Sequence, residues 1–227
     1  LILSYPITEE TNNLDYEYAR YVTDILEKGN DNDFAADLNR KLIEDFNKGY
    51  LHGNFDGIYS VLVKKYRNVI WDDFESAFVS DDYYGFLFQI KDEIGSGTSF
   101  GVGALFQVKD DKVQNMCKKY PGKAPLRVAQ MIPVFKDGHT FSDWFMWMLD
   151  EFGDQKDVLD SLHANMGTFT WGGSIIPLLR KKMECLNGIK NHKRVEVREW
   201  VEMCLQEIEE DMRRELNREE YMRLHYN

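Results

Sequence analysis

The clearest structural signal in this chain lies in residues 197–216, which read VREWVEMCLQEIEEDMRREL. Apolar residues recur there three or four positions apart, which is the period of one face of an α-helix. The apolar positions are Val197, Val201, Cys204, Leu205, Ile208, Met212 and Leu216. Glutamates stand four residues before arginines on the other face, and each such pair supports a helix by about 0.2–0.5 kcal/mol. The pattern predicts a long terminal helix that frays or extends into solvent beyond Leu216.

The same spacing predicts further helices on both sides of the middle of the chain. Capping side chains, a Pro in a first turn and a Gly after a last turn place helices near residues 126–132, 140–152, 154–165 and 174–186. Helical periodicity in the first half predicts helices near residues 13–28, 33–48, 55–66, 70–79 and 83–94. A short strand is expected near residues 100–108. We therefore predict an all-α protein.

The arrangement of these helices indicates how they pack. Helices of this length joined by short turns are typical of stacked helical hairpins, which bury their apolar faces against their neighbours. Residues 57–65, GIYSVLVKK, show weak internal sequence similarity to residues 173–181, GSIIPLLRK. The Gly-rich run at 95–103, GSGTSFGVG, is the best candidate for a boundary. We predict an acidic helical segment at 1–95 and a helical repeat region at 96–227.

Composition excludes several classes of protein. A chain of 227 residues with 43% hydrophobic residues can bury a sizeable core. Its net charge is −11, and the first hundred residues carry nineteen acidic against nine basic side chains, which disfavours nucleic acid as a partner. The longest apolar run, residues 144–149, is far shorter than the roughly 20 residues of a membrane span. Three widely spaced cysteines form no disulfide framework, so we expect reduced thiols and a cytoplasmic location.

Local motifs favour a structural rather than a catalytic interpretation. The Gly-rich run lacks both the Lys of a Walker motif and the last Gly of a dinucleotide fingerprint, so we interpret it as a loop. A metal-dependent nuclease uses acids and a lysine of the kind found at Asp143, Asp154 and Lys156. Both acids are expected at helix N-termini, however, where capping explains their presence. The five histidines lack zinc-binding spacing. We predict no catalytic residue, no metal and no cofactor.

Residues 191–200, NHKRVEVREW, resemble the turn and second-helix start of a HEAT-type repeat. The resemblance implies that Val197 packs between two helices and that Arg198 pairs with a carboxylate of the turn. Asn191 and His192 stand where that family has Asp. The chain from Phe141 onward is also loosely similar to C-terminal helical regions of large multidomain bacterial proteins, some of them in phage defence. The resemblance implies an irregular HEAT-like α-solenoid and by itself carries no activity.

These observations predict a non-catalytic helical-repeat module for protein–protein recognition or scaffolding. We expect it to be part of a larger bacterial cytoplasmic protein, such as one of anti-phage defence. Its partner would be another protein or another domain of the same chain. Trp and Arg dominate interface hot spots, and the candidate binding residues are Trp71, Trp144, Trp147 and Arg198. The alternative is a nucleic-acid-binding HEAT-like domain or a DNA glycosylase-like enzyme. Its phosphate contacts would be Arg180, Lys181, Lys182, Lys190, Lys193 and Arg194. An acidic sensor or inhibitor domain is a third hypothesis.

Overall fold

The computed structural model describes residues 12–48, 56–82, 84–95, 103–136, 140–167 and 173–226. Within these ranges the chain forms twelve α-helices and no strand, and Phe135 and Phe141 form an isolated β-bridge. The all-α prediction is confirmed. The chain divides into two compact units, Leu1–Pro133 and Val134–Asn227.

The first unit contains eight of the described helices. They are α1 (Asn12–Lys28), α2 (Asn32–Asn47), α3 (Asp56–Lys65), α4 (Arg67–Val79), α5 (Tyr84–Ile94), α6 (Ala104–Gln107), α7 (Lys112–Lys119) and α8 (Ala124–Ala129). Helix α3 packs against both α1 and α5, while α2 packs against α4 and α5. Much of the packing therefore joins helices that are two apart in the chain.

A cluster of aromatic side chains fills the core of the first unit. Tyr59 lies at its centre, with its ring centroid 6.0 Å from that of Phe46 and 5.7 Å from that of Phe86. The Tyr59 hydroxyl donates a hydrogen bond of 2.8 Å to Oδ1 of Asn39, and both residues are fully buried. The core thus satisfies the Tyr59 hydroxyl, as a buried hydroxyl requires, whereas Nδ2 of Asn39 has no hydrogen-bond partner among the described residues.

Helices α6 to α8 belong to the first unit, although the sequence placed a boundary near residue 96. Helix α6 packs against α3 and α5. Arg67 at the start of α4 reaches Asp110, with 2.7 Å between Nε and Oδ2. The division into two compact units falls after Pro133, and the domain boundary expected near residue 96 stays a prediction. Glycine content marks a place where the backbone can turn, and it does not reveal which helices the following segment will pack against.

The strand expected near residues 100–108 is wrong for the residues that the structure describes there. Residues 104–107 form the short helix α6, in which Ala104, Leu105 and Phe106 are all buried. Three consecutive buried side chains do not fit a strand with one exposed face. Just before α6 the backbone passes so close to Gly95 that a Cβ on Gly103 would lie 1.9 Å from the Gly95 carbonyl oxygen. Residues 96–102 of the Gly-rich run lie outside the described residues.

The second unit contains α9 (Asp143–Phe152), α10 (Lys156–Gly167), α11 (Ile176–Ile189) and α12 (Val195–Tyr226). The cap of α9 is Ser142, whose Oγ accepts a hydrogen bond of 3.0 Å from the Phe145 amide, and not Thr140 as predicted. Gly153 follows α9 with φ −70°, outside the left-handed region. A Cβ there would lie 2.5 Å from Cγ2 of Val197, so this residue is small because α12 passes close by.

Helix α12 follows the predicted stripe and then runs on as a continuous helix. Val197, Val201, Cys204 and Ile208 are buried, where the helix packs against α10 and α11. None of residues 209–225 is buried, and Leu216 is 50% exposed. Of the two expected outcomes, extension into solvent rather than fraying is observed up to Tyr226. No helix in the described ranges combines the length and the apolar character that crossing a bilayer requires.

Candidate functional site

Trp71, a predicted binding residue, is buried in the first unit. It is 6% exposed, and its indole Nε1 donates a hydrogen bond of 3.2 Å to Oε2 of Glu75. The Arg67 guanidinium lies over its ring, 4.7 Å from the centroid. The side chain therefore presents little surface to a partner.

Arg198 is used inside the second unit. Its Nη1 donates hydrogen bonds to two carbonyl oxygens of the preceding turn, 2.8 Å to His192 and 3.2 Å to Lys193. Val197 beside it is fully buried. The HEAT resemblance implied a carboxylate partner for Arg198, and in this chain backbone carbonyls take that place. The arginine holds the turn that precedes α12.

Trp144 and Trp147 both lie half-buried on α9. Phe145, Met148 and Leu149 are fully buried and define the inner side of this helix, so the two tryptophans lie at its margin. Their ring centroids are 5.8 Å apart and the ring planes meet at 86°. Spacing of three residues on a helix brings the two indoles together on one face. Of the predicted partner-binding residues, these two alone keep exposed aromatic surface.

Glu151 joins the two tryptophans on the same face, four residues after Trp147. Its backbone carbonyl accepts a hydrogen bond of 3.1 Å from Nη2 of Arg194. Its side chain is exposed, and the carboxylate has no ion pair with any residue that the structure describes. We name Trp144, Trp147 and Glu151 the α9 aromatic face. Sequence reasoning missed Glu151, although its spacing of three and then four residues from the tryptophans was a usable signal.

The neighbouring carboxylate of Asp150 is fully engaged. Its Oδ1 lies 2.7 Å from Nζ of Lys193 and 3.3 Å from Nε2 of His192. The hydrogen bond from Lys193 holds the pKa of Asp150 below its ordinary value. Arg194 donates a 2.9 Å hydrogen bond to the Asp150 carbonyl oxygen. Cations at a helix C-terminus compensate its unpaired carbonyls, so Lys193 and Arg194 bind the end of α9.

The predicted basic cluster is therefore divided among several tasks. Lys193 and Arg194 contact α9, and Lys182 is buried with 5% exposure. The cluster members that remain exposed without an ion pair to described residues are Arg180, Lys181 and Lys190. The structure does not bring all six side chains to one exposed surface.

A cleft in the second unit lies among α10, α11 and α12 and has a volume of about 390 Å³. Among the described residues its apolar lining includes Met166, Ile175, Leu179 and Ile208. Three acid–base pairs surround it: His163 with Glu207 at 3.0 Å, Arg214 with Asp211 at 3.0 Å, and Arg218 with Glu215 at 2.8 Å. Sequence reasoning missed this cleft because its lining comes from three separate helices.

Lys182 also lines this cleft. Its Nζ donates a hydrogen bond of 2.7 Å to the Met166 carbonyl oxygen at the end of α10. Removal from water lowers the pKa of Lys182 to about 8, against a smaller opposing effect of Asp211. A lysine with this pKa is half neutral near pH 8, and the neutral amine is the form that carries a lone pair.

Other chemistry-bearing groups are placed less favourably. Burial raises the pKa of the Cys117 thiol to about 12, and that of Cys204 also to about 12. Such thiols are poor nucleophiles because the reactive species is the thiolate. In the part of the chain that the structure describes, no group of three His, Cys, Asp or Glu side chains could hold a metal ion.

Comparison with protein-family models, with curated proteins and with solved structures gives no match to this chain. Its function is therefore inferred from its own residues.

Proposed function

We propose that this chain is a non-catalytic module for protein recognition, and that its α9 aromatic face binds a lysine or arginine side chain of a partner protein. The observation that carries this proposal is the pair of half-buried indoles at 86° on a helix face that also holds Glu151, whose carboxylate has no ion pair with a described residue. Tryptophan is the aromatic side chain most often found at interface hot spots. A rigid helix holds both rings in place, so little conformational entropy is lost on binding.

A cationic side chain suits this face for two reasons. The face of an indole ring attracts a cation, with a gain of about 0.5–2 kcal/mol, and Glu151 supplies a formal negative charge one helical turn beyond Trp147. The net charge of −11 adds long-range attraction for a basic partner. An acidic partner would be repelled, so charge contributes to selectivity.

We further propose that the helical hairpins stack in the HEAT-like manner. Support comes from the packing of α3 between α1 and α5 in the first unit. In the second unit the burial of Val197 and the attachment of Arg198 to the preceding turn also support it. Stacked hairpins leave their outer helix faces available for binding.

The test is site-specific photo-crosslinking in the cells that make the protein. A benzophenone amino acid replaces exposed Asp143 of α9 in one variant and exposed Glu184 of α11 in a control variant, so that both indoles of the α9 aromatic face are kept. We expect a discrete protein adduct from position 143 and none from position 184. The crosslinked partner peptide should contain Lys or Arg next to the attachment point.

A charge variant separates specific recognition from mere exposure. Glu151→Gln in the Asp143 crosslinker background should lower the adduct yield about fivefold, because an ion-assisted contact is lost. Glu184→Gln removes the same charge from another helix and should leave the yield unchanged. Circular dichroism confirms that each variant keeps its helical content. Equal yields from the two crosslinker positions, or no effect of Glu151→Gln, would refute the proposal.

A further inference from the structure

The cleft among α10, α11 and α12 is independent of the α9 aromatic face and has its own chemistry. We propose that it binds small apolar aldehydes and that the amine of Lys182 condenses with them to an imine. The site would add a covalent, reversible activity to the recognition role proposed above, and neither proposal requires the other.

The shape and charge of the cleft favour an uncharged ligand. A volume of about 390 Å³ lies near the lower end of small-molecule sites. Its apolar lining, represented by Met166, Leu179 and Ile208, suits a hydrocarbon or aromatic ring. The charged side chains of the cleft other than Lys182 are already paired, Glu207 with His163, Asp211 with Arg214 and Glu215 with Arg218. A simple ion would gain little from groups that are already paired.

The amine of Lys182 is in the state that this chemistry needs. Its side chain is 95% shielded from solvent and its Nζ holds the Met166 carbonyl oxygen at 2.7 Å. A neutral amine keeps two N–H donors, so it can retain this hydrogen bond and still use its lone pair. Burial lowers the pKa of Lys182 to about 8, whereas an ordinary lysine has a pKa of about 10.4. The titratable groups that line the cleft around it are His163 from α10 and Glu207, Asp211, Arg214, Glu215 and Arg218 from α12.

The reaction balances without an oxidant or a reductant. The nitrogen lone pair of Lys182 attacks the carbonyl carbon, and the carbonyl π electrons move to oxygen, which takes up the proton that nitrogen loses. The hydroxyl of this carbinolamine then takes up a proton from solvent and leaves as one water molecule while the nitrogen lone pair forms the C=N bond, and the nitrogen returns its remaining proton to solvent. His163 and Glu207, 3.0 Å apart, line the same cleft.

The experiment uses 4-fluorobenzaldehyde with the full chain and traps the imine with cyanoborohydride, which reduces it to a stable secondary amine. Peptide mass spectrometry then compares Lys182 with Lys181, its exposed neighbour on α11. At about pH 7.5 we expect Lys182 to be labelled at least tenfold faster, because a larger share of its amine is neutral. The rate at Lys182 should saturate with aldehyde concentration and follow a pH midpoint near 8.

Protection shows whether the cleft binds the ligand before reaction. 4-Fluorobenzyl alcohol, which has the same ring and no carbonyl, should slow labelling of Lys182 and leave Lys181 unaffected. Equal rates at the two lysines, or a rate at Lys182 that rises linearly without protection, would overturn the proposal and leave Lys182 as a cap of α10. These measurements use unmodified protein, and they do not involve Glu151 or Trp147, so this proposal and the recognition proposal fail separately.

Discussion

Lys182 is a basic residue in a buried environment, with 5% of its surface exposed. A lysine is almost never fully buried unless a partner compensates its charge. Here the Met166 carbonyl oxygen accepts a hydrogen bond from Nζ, and Asp211 favours the charged form, yet desolvation prevails and lowers the pKa to about 8. The folded protein therefore holds this proton less tightly than the unfolded chain does.

The stability of the protein should record this difference in proton binding. Between about pH 8 and pH 10.4 the unfolded state is protonated at Lys182 and the folded state is not, so the free energy of unfolding rises with pH in that window. We expect the free energy of unfolding to increase by about 2 kcal/mol from pH 7.5 to pH 9.5, relative to a Lys182→Met variant. Urea unfolding measures both curves. The buried thiols Cys117 and Cys204 lower the free energy of unfolding as the pH rises, and subtracting the Lys182→Met curve removes their contribution because both proteins contain them. Parallel curves for the two proteins would contradict the expectation.

Helix α12 shows how an element can have one periodicity and two environments. Its first half buries Val197, Val201, Cys204 and Ile208, while no residue from 209 to 225 is buried. Propensity and charge pairs continue the helix to Tyr226. Burial of an apolar face supplies most of the stability of a helix in a folded protein.

Truncation tests this division of α12. Deleting residues 213–227 should change the free energy of unfolding by less than about 1 kcal/mol, because no fully buried side chain is lost. Ile208→Ala is the matched comparison. Ile208 is 7% exposed, and this substitution should lower the free energy of unfolding by about 2–4 kcal/mol. Urea unfolding of both variants provides the measurement. A truncation as costly as Ile208→Ala would show that the distal half stabilises the fold.

At the scale of the whole molecule, charge sets the range of partners. The net charge is −11. The folded chain divides the predicted basic cluster, so that Arg180, Lys181 and Lys190 remain exposed without ion pairs to described residues. Three cations are few for a surface that must bind a phosphate backbone.

A salt titration distinguishes this arrangement from a nucleic-acid site. Each phosphate contact contributes about −0.9 to the slope of log K against log salt, so three cations allow a slope of about −3 and all six would give about −5. We expect weak binding of duplex DNA, with a slope of log K against log salt no steeper than about −3. Fluorescence anisotropy of a labelled duplex at several salt concentrations measures it. Tight binding with the steeper slope would favour the nucleic-acid alternative over protein recognition.

The local order of this chain was determined by its sequence. Helices α1 to α5 lie within a few residues of the predicted ranges, because periodicity and stop signals act within one segment. The packing of α6 against α3 was not predictable in this way, because it joins segments that are distant in the chain.

The tertiary structure alone decided which side chains are available. Trp71 and Trp147 are the same residue type on predicted helices, yet one is buried and the other half-exposed. Lys182 and Lys181 are neighbours in the chain, and one lines a cleft while the other faces solvent. The reason is that the burial of a side chain depends on packing against helices from distant parts of the chain. A local sequence pattern does not specify which helices these are.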